Sequence, residues 1–170
     1  MINGEKVYLR PIIKSDIKHL NAWKNDEGVY KYLGGGFLPV SIDQQEKWID
    51  SMMDLTGNDK RFIICDMQGS SVGMVGLYAI NWIHRTCEIG IYIGEKTALG
   101  KGYGQEACRL IENFAKEYLN IRKIRLNVVS ENGDALRMWS ALKYQQVGEL
   151  INERYIKGEY HNLVIMEKFL

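Results

Sequence analysis

The sequence contains little proline, little cysteine and no long apolar run. Two prolines occur in 170 residues, so few positions are barred from regular helices and strands. The three cysteines are widely spaced and form no C-x-x-C pair, which argues against a disulfide framework or a metal site. No segment approaches the roughly 20 apolar residues that span a bilayer, and the amino terminus lacks the apolar region of a signal peptide. We therefore expect a cytoplasmic protein with free thiols, no metal and no membrane anchor.

The sequence also lacks an excess of either positive or negative charge. Lys and Arg together number 22 and Asp and Glu 21, and neither sign forms a long block. An extended basic face for nucleic acid is therefore not expected. Apolar residues make up 46% of the chain, an ordinary share for a domain that buries a core. No repeat or linker divides the sequence, so we assign residues 1–170 to one domain.

Hydrophobic periodicity predicts an α/β (α+β) fold with a mixed, mostly antiparallel, twisted sheet. Three consecutive apolar runs separated by turn-forming residues predict an antiparallel meander. Apolar residues at helical spacing from Ala107 to Tyr118 predict a long amphipathic helix. We expect about seven strands flanked by about four helices. The predicted strands cover residues 7–12, 61–67, 72–80, 87–93, 124–128, 147–155 and 161–169, and the predicted helices begin near Ser15, Ser41, Gly104 and Asp134.

Glycines cluster where a predicted strand meets the long helix. Gly100, Gly102 and Gly104 separate the strand that ends near Ile93 from the helix that begins near Gly104. Glycine allows positive φ angles and a close approach of the backbone, and a helix amino terminus attracts anions. The arrangement favours a pyrophosphate ligand. A glycine-rich helix start without any ligand is the alternative.

Two common phosphate-binding motifs do not fit this turn. A Walker loop needs Ser or Thr after its lysine, whereas Lys101 is followed by Gly102. A dinucleotide fingerprint has the spacing G-x-G-x-x-G inside a βαβ unit, whereas this turn has G-x-G-x-G after predicted antiparallel strands. Neither an NTPase nor a dinucleotide-binding domain is therefore expected.

The turn resembles the coenzyme motif of the GNAT acetyltransferase superfamily. That motif is Gln or Arg, two residues, Gly, one residue, then Gly or Ala. Gly102 and Gly104 match its small positions, and Leu99 replaces the Gln or Arg. A later motif of the superfamily, Asn-x-x-Ala with an aromatic residue four positions on, is matched by Asn132, Ala135 and Trp139. The order of predicted elements agrees over nearly the whole chain.

Three further segments are similar to one branch of that superfamily, the ribosomal-protein N-terminal acetyltransferases and bacterial spermidine acetyltransferases. They are Leu9-Arg10-Pro11, Ile80–Arg85 and Glu153–Asn162. The resemblance implies acetyl-CoA as the donor and a primary amine as the acceptor, either a protein N-terminal α-amine or a small molecule such as a polyamine or an amino-sugar nucleotide. It also implies a homodimer, whose interface the apolar run Leu163–Met166 could join. A weakly catalytic module that senses acetyl-CoA is the alternative.

The resemblance assigns coenzyme contacts to the strand end, the glycine turn and the later motif. These residues are Ile91, Tyr92, Ile93, Leu99, Gly100, Lys101, Gly102, Tyr103, Gly104, Gln105, Asn132, Ala135 and Trp139. Spermidine acetyltransferases carry glutamates in the loop that corresponds to Gly34–Gly36. This loop has no glutamate here, which weighs against a polyamine acceptor.

Glu88 is the predicted general base. It lies on the strand that should run beside the acetyl group, and an ammonium group must lose a proton before it attacks a thioester. The alternative is a structural carboxylate that packs against Arg85 or orients the sheet. Trp139 stands where many relatives carry a tyrosine acid, so the acid is unassigned, with Ser140, Tyr144 or water as candidates. Cys87 has no activating histidine, and a covalent acyl-cysteine is not expected.

Overall fold

One eight-stranded sheet extends through the protein, with helices on both faces. A computed structural model of the chain describes residues 1–170. The strand order is β1-β2-β3-β4-β5-β6-β8-β7, and every neighbouring pair is antiparallel except the parallel pair β5–β6. The strands are β1 Ile2–Asn3, β2 Val7–Pro11, β3 Lys60–Asp66, β4 Ser71–Asn81, β5 Thr86–Ile93, β6 Lys123–Val129, β7 Gln145–Ile156 and β8 Glu159–Phe169. The helices are α1 Ile17–Lys24, α2 Glu27–Tyr30, α3 Ile42–Met53, α4 Tyr103–Glu117 and α5 Gly133–Ala141.

The predicted fold class is confirmed, with one strand and one helix more than expected. The meander β3–β4–β5, the long helix α4 and the final hairpin β7–β8 all form. The additional elements are β1, with two residues, and α2, with four. Elements this short span about one hydrophobic period, so their pattern is never repeated and cannot identify them.

Two apolar layers cover the sheet. Helix α4 buries Ala107, Cys108 and Ile111 on one face, as its helical spacing predicts. On the other face, α1 and α3 bury Leu20, Trp23 and Ile49. Each fully buried large aliphatic side chain stabilises the fold by about 1.5–3 kcal/mol, so the sheet is held from both sides.

The parallel pair β5–β6 is short, and its strands then diverge. Only Thr86, Cys87 and Glu88 pair with residues of β6, namely Lys123, Ile124 and Arg125. Beyond Glu88, residues 89–93 of β5 and 126–129 of β6 have no partner across the space between them. We call this space the β5–β6 gap. Backbone N–H and C=O groups along the gap are available to a ligand.

The expectation that Leu163–Met166 joins an interface is wrong. These residues lie in β8, which has a neighbouring strand on each side, and Leu163, Val164 and Met166 are buried in the core. The sequence of an interior strand that is buried by other elements is a continuous apolar run, and so is the sequence of an interface segment. Exposed apolar side chains lie instead on the edge strand β7, including Val147 and Ile151.

Candidate active site

The glycine turn presents unpaired backbone donors. Gly100 and Gly102 have φ angles of +75° and +80°, a region that disfavours residues with a Cβ. Gly102 is the N-cap of α4, and no backbone N–H from Gly100 to Gln105 has an acceptor within the protein. These donors add to the positive end of the helix dipole. The turn therefore fits a pyrophosphate, as the sequence predicts.

Gly104 marks the point where three elements converge. A methyl group placed on Gly104 would lie 3.7 Å from Met138 Sδ of α5 and 3.8 Å from both Ile91 Cδ1 and Ile93 Cγ1 of β5. The structure thus brings the predicted residues Ile91, Ile93 and Gly104 together. Met138 was missed by sequence reasoning, because no motif identifies it. The distances are ordinary van der Waals contacts, so alanine also fits there, in agreement with the Gly-or-Ala position of the motif.

The side chain of Tyr92 lies on the opposite face of β5. It is buried beside Trp23 and Tyr30, with ring centroids 5.9 and 5.3 Å away. Burial raises the pKa of the Tyr92 hydroxyl well above its usual value. Tyr92 therefore faces the predicted coenzyme side only through its backbone. Strand alternation explains this, because Ile91 and Ile93 face α4 and Tyr92 must face away.

The remaining residues of the glycine turn reach solvent. Leu99, at the position where the motif has Gln or Arg, is 59% exposed and provides no charge. Lys101 Nζ lies 5.8 Å from the centroid of the Tyr103 ring. Gln105 is half-buried in the first turn of α4.

The later motif builds the start of helix α5. The Asn132 side-chain oxygen accepts the Ala135 backbone N–H at 3.3 Å, so Asn132 is the N-cap. Trp139 is buried, and its ring meets that of Tyr144 edge-on at 5.1 Å. In this structure the motif residues thus support α5, whose Met138 borders Gly104.

Tyr144 is a poor proton donor. Its hydroxyl is buried without a hydrogen-bond partner. Burial, followed by the negative charge of Glu112, raises the pKa of Tyr144 far above its usual range. Ser140, the other candidate side chain, is exposed.

Glu88 occupies the closed end of the β5–β6 gap. It is the last residue of β5 that pairs with β6, and its side chain points away from α4. Its Oε1 lies 3.6 Å from Arg125 Nη2, and both side chains are about half exposed. The carboxylate lines a cleft of about 240 Å³. Arg85 donates to Asn120 Oδ1 at 3.0 Å instead, so Glu88 pairs with Arg125 of the neighbouring strand rather than with Arg85.

Cys87 faces the core beside α4. Burial, with a smaller effect from the charge of Glu88, raises the pKa of its thiol to about 12. The thiol is therefore protonated at neutral pH and a weak nucleophile.

Aromatic and basic side chains cover the face of the sheet that carries Glu88. The Tyr78 ring lies over Gly90, where an added methyl would come 3.2 Å from its Cε2. Arg61 stacks over that ring at 5.2 Å, and burial raises the pKa of Tyr78 to about 12. A side chain on Gly90 would displace the tyrosine.

The loop that contains the triple glycine is tied to the final hairpin. Arg154 Nη1 donates to the carbonyl oxygens of Leu33 and Gly34, at 3.3 and 3.0 Å. Lys157 Nζ lies 2.8 Å from Glu27 Oε1. These contacts connect the β7–β8 hairpin to α2 and to the segment that follows it.

A contact missed by sequence reasoning joins the amino terminus to the glycine turn. Glu106, in the first turn of α4, accepts the backbone N–H groups of Lys6 and Val7 at 2.8 Å and that of Glu5 at 3.3 Å. Lys6 Nζ lies 3.2 Å from the place a methyl on Gly102 would occupy. The residues are about 100 positions apart, so no local pattern predicts the contact.

Neither a metal-binding cluster nor a membrane-spanning helix is present in the structure. No group of three or more His, Cys, Asp and Glu side chains is placed to hold a metal ion. None of the helices is both long and apolar enough to cross a membrane.

The chain is similar in sequence and fold to known acetyltransferases. The family model described as an acetyltransferase (GNAT) domain matches residues 6–145, which include the glycine turn and the β5–β6 gap. Spermidine N(1)-acetyltransferase of Escherichia coli K12 is 29% identical over 98% of this chain and 87% of its own length. The crystal structure of spermidine N-acetyltransferase from Vibrio cholerae in complex with CoA and spermine has a TM-score of 0.90 at 25% identity, covering 98% of this chain and 96% of that one. The chain therefore belongs to the GNAT acetyltransferases and is an acetyl-CoA-dependent N-acetyltransferase.

Proposed function

We propose that the protein acetylates a small-molecule primary amine, which attacks the thioester of acetyl-CoA directly with Glu88 as general base. One observation carries this proposal: the β5–β6 gap opens beside the unpaired N–H groups of the glycine turn, and Glu88 stands at its closed end. The backbone donors from Gly100 to Gln105 hold the pyrophosphate. Ile91, Ile93 and Met138 border the path toward the gap.

The reaction needs a base because the acceptor is protonated. An alkylamine with a pKa near 10.4 is neutral in about one molecule in 2,500 at pH 7, and an α-amine with a pKa near 7.8 in about one in seven. Glu88 takes the ammonium proton through water, and Arg125 orients its carboxylate. The nitrogen then bonds to the carbonyl carbon and the C–S bond breaks. The nitrogen then loses its second proton, and water relays that proton to the departing thiolate, because Tyr144 is a poor donor and Trp139 has no hydroxyl.

Charge pairing on the acceptor side bears on the choice of amine. The carboxylates of Glu27, Asp59 and Glu88 are each paired with a cation. A polyamine carries further ammonium groups that need unpaired carboxylates, so the pairing favours an amine with a single positive charge. Spermidine is nevertheless the second candidate, because the relatives described above are named for it.

The wider organisation is part of the same proposal. Residues 1–170 form one catalytic domain, since β7 and β8 beyond the matched segment complete its sheet. A homodimer is supported by the dodecameric structure of the Vibrio cholerae relative and by exposed apolar residues on the edge strand β7. A cytoplasmic location is supported by three free, buried cysteines. Light scattering at micromolar concentration tests the dimer: a particle of only 19.6 kDa would contradict it.

An acceptor screen read by thiol release tests the activity. Spermidine, single-charge alkylamines, α-amino peptides, aminoglycosides and amino-sugar nucleotides are each supplied with acetyl-CoA, with Glu88→Gln as the matched control. A single-charge alkylamine should give the highest kcat/KM. Saturation with spermidine alone would favour the second candidate. Coenzyme binding without turnover of any amine would support a sensing module instead.

A further inference from the structure

The β1–β2 turn, residues 4–6, is fixed against the phosphate-binding end of α4. Glu106 accepts three consecutive backbone N–H groups, from Glu5, Lys6 and Val7, at 3.3, 2.8 and 2.8 Å. Gly4 packs so closely against the same carboxylate that a methyl group there would lie 2.8 Å from Glu106 Oε2. Hydrogen bonds to an ionised carboxylate are stronger than neutral ones, so this turn has a defined position.

That position places one ammonium group beside the glycine turn. Lys6 Nζ is 3.2 Å from the place a Cβ on Gly102 would occupy, and Lys6 forms no ion pair. The glycine turn has one cation of its own, Lys101, whose ammonium lies 5.8 Å from the centroid of the Tyr103 ring. Leu99 is apolar, so the position where the motif has Gln or Arg adds no charge. An unpaired cation therefore borders the unpaired backbone donors from Gly100 to Gln105.

We propose that Lys6 binds the pyrophosphate of the coenzyme, supplying the positive charge that Leu99 leaves out of the glycine turn, and that Glu106 positions it. The proposal rests on acetyl-CoA binding at the glycine turn, which is part of the proposed function. The ammonium approaches from the amino-terminal turn of the chain, whereas the backbone donors approach from α4. The two sets of donors meet at Gly102, where the missing side chain leaves room for the phosphates.

Direct binding measurements on the full chain test the contact. Lys6→Met keeps the length of the side chain and removes its charge, and Lys6→Arg restores the charge. Lys116→Met is the matched control, because it removes the same charge from the far end of α4, roughly 20 Å away by helical rise. The dissociation constants of coenzyme A and dephospho-coenzyme A are measured by calorimetry for each variant.

Lys6→Met should weaken both ligands about tenfold, the lower end of the range for a hydrogen bond to a charged group. Lys6→Arg should recover most of that loss, and Lys116→Met should match the wild type. The affinity of Lys6→Met should also depend less steeply on salt, since one fewer cation neutralises the phosphates. A loss confined to coenzyme A, which alone carries the 3′-phosphate, would overturn the pyrophosphate assignment. Equal binding by Lys6→Met and Lys116→Met would overturn the contact altogether.

The positioning role of Glu106 has its own readout. Glu106→Gln should weaken coenzyme A binding when Lys6 is present. It should have little effect in the Lys6→Met variant, because Glu106 affects binding only by positioning the Lys6 ammonium. Equal effects in both backgrounds would overturn the positioning role. Circular dichroism establishes that each variant is folded before binding is measured. If the wild-type protein binds no coenzyme, the proposed function fails. If it binds and Lys6→Met binds equally well, only this inference fails.

Discussion

An alanine scan through the glycine turn separates backbone strain from coenzyme binding. Gly100 and Gly102 have nearly the same φ angle, +75° and +80°, so alanine should strain both positions alike. The cost for a left-handed residue is about 1–2 kcal/mol, partly offset by the lower entropy of the unfolded chain. For a domain of this size, a loss of about 1 kcal/mol lowers Tm by roughly 2–4 °C. Both ligand-free variants should show this shift.

The two variants should differ once coenzyme is added. The Cβ of Gly100→Ala meets nothing within 4 Å, whereas that of Gly102→Ala points at the Lys6 ammonium, 3.2 Å away, on the proposed phosphate side. At about 100 Kd of acetyl-CoA, the wild type and Gly100→Ala should gain about 2.7 kcal/mol. If the new methyl group weakens binding a hundredfold, the gain for Gly102→Ala drops to about 0.4 kcal/mol.

Differential scanning fluorimetry with and without acetyl-CoA measures both effects. Gly104→Ala is a third comparison, because its methyl makes only ordinary contacts with Met138, Ile91 and Ile93 and introduces no positive φ. It should retain stability and most of the coenzyme response. If acetyl-CoA stabilises Gly100→Ala and Gly102→Ala equally weakly, the loss reflects backbone strain alone. That result would refute the reasoning that a methyl group at Gly102 occupies the place of the phosphates.

Three further predictions concern side chains around the gap. Glu88→Gln should lower kcat/KM by a factor of about 10²–10⁴ at neutral pH, and this loss should shrink as the pH approaches the amine's own pKa. Parallel profiles of kcat/KM against pH for the wild type and the variant would show that Glu88 is not the base. Cys87 should resist alkylation by iodoacetamide at neutral pH in the native protein, because burial raises its pKa to about 12; rapid labelling found by peptide mass spectrometry would contradict its burial. Arg154→Met should speed tryptic cleavage after Lys31, because the loop at Leu33 loses its hydrogen bonds to β7; cleavage as slow as in Arg109→Met, an exposed control on α4, would rule out this restraint.

Local signals in the sequence predict a large part of this structure. The G-x-G-x-G spacing and the helical period of α4 each lie within about 20 residues, so both features are readable without tertiary information. Strand alternation, applied to residues 88–93, would also have placed Glu88 and Tyr92 on one face and Ile91 and Ile93 on the other. The predicted coenzyme contact of Tyr92 is therefore open to its backbone and not to its side chain.

Other parts of the site depend on contacts that no local pattern encodes. Glu106 meets residues 5–7 across about 100 positions of chain, and its sequence context is that of any acidic residue in a first helical turn. The point at which β5 and β6 part also follows from packing between elements. An apolar run such as Leu163–Met166 suits either a buried core or an interface. Only the strands on each side of β8 decide between the two.

The short β5–β6 pairing divides the sheet into two unequal sections, β1–β5 and β6–β8. Few ladder hydrogen bonds cross this seam, so amide protons there should exchange with deuterated solvent sooner than those at the centre of either section. A ligand held between β5 and β6 spans the seam and makes its opening more costly. Acetyl-CoA should therefore merge two partly independent unfolding units into one, and exchange should slow along both strands when the coenzyme binds.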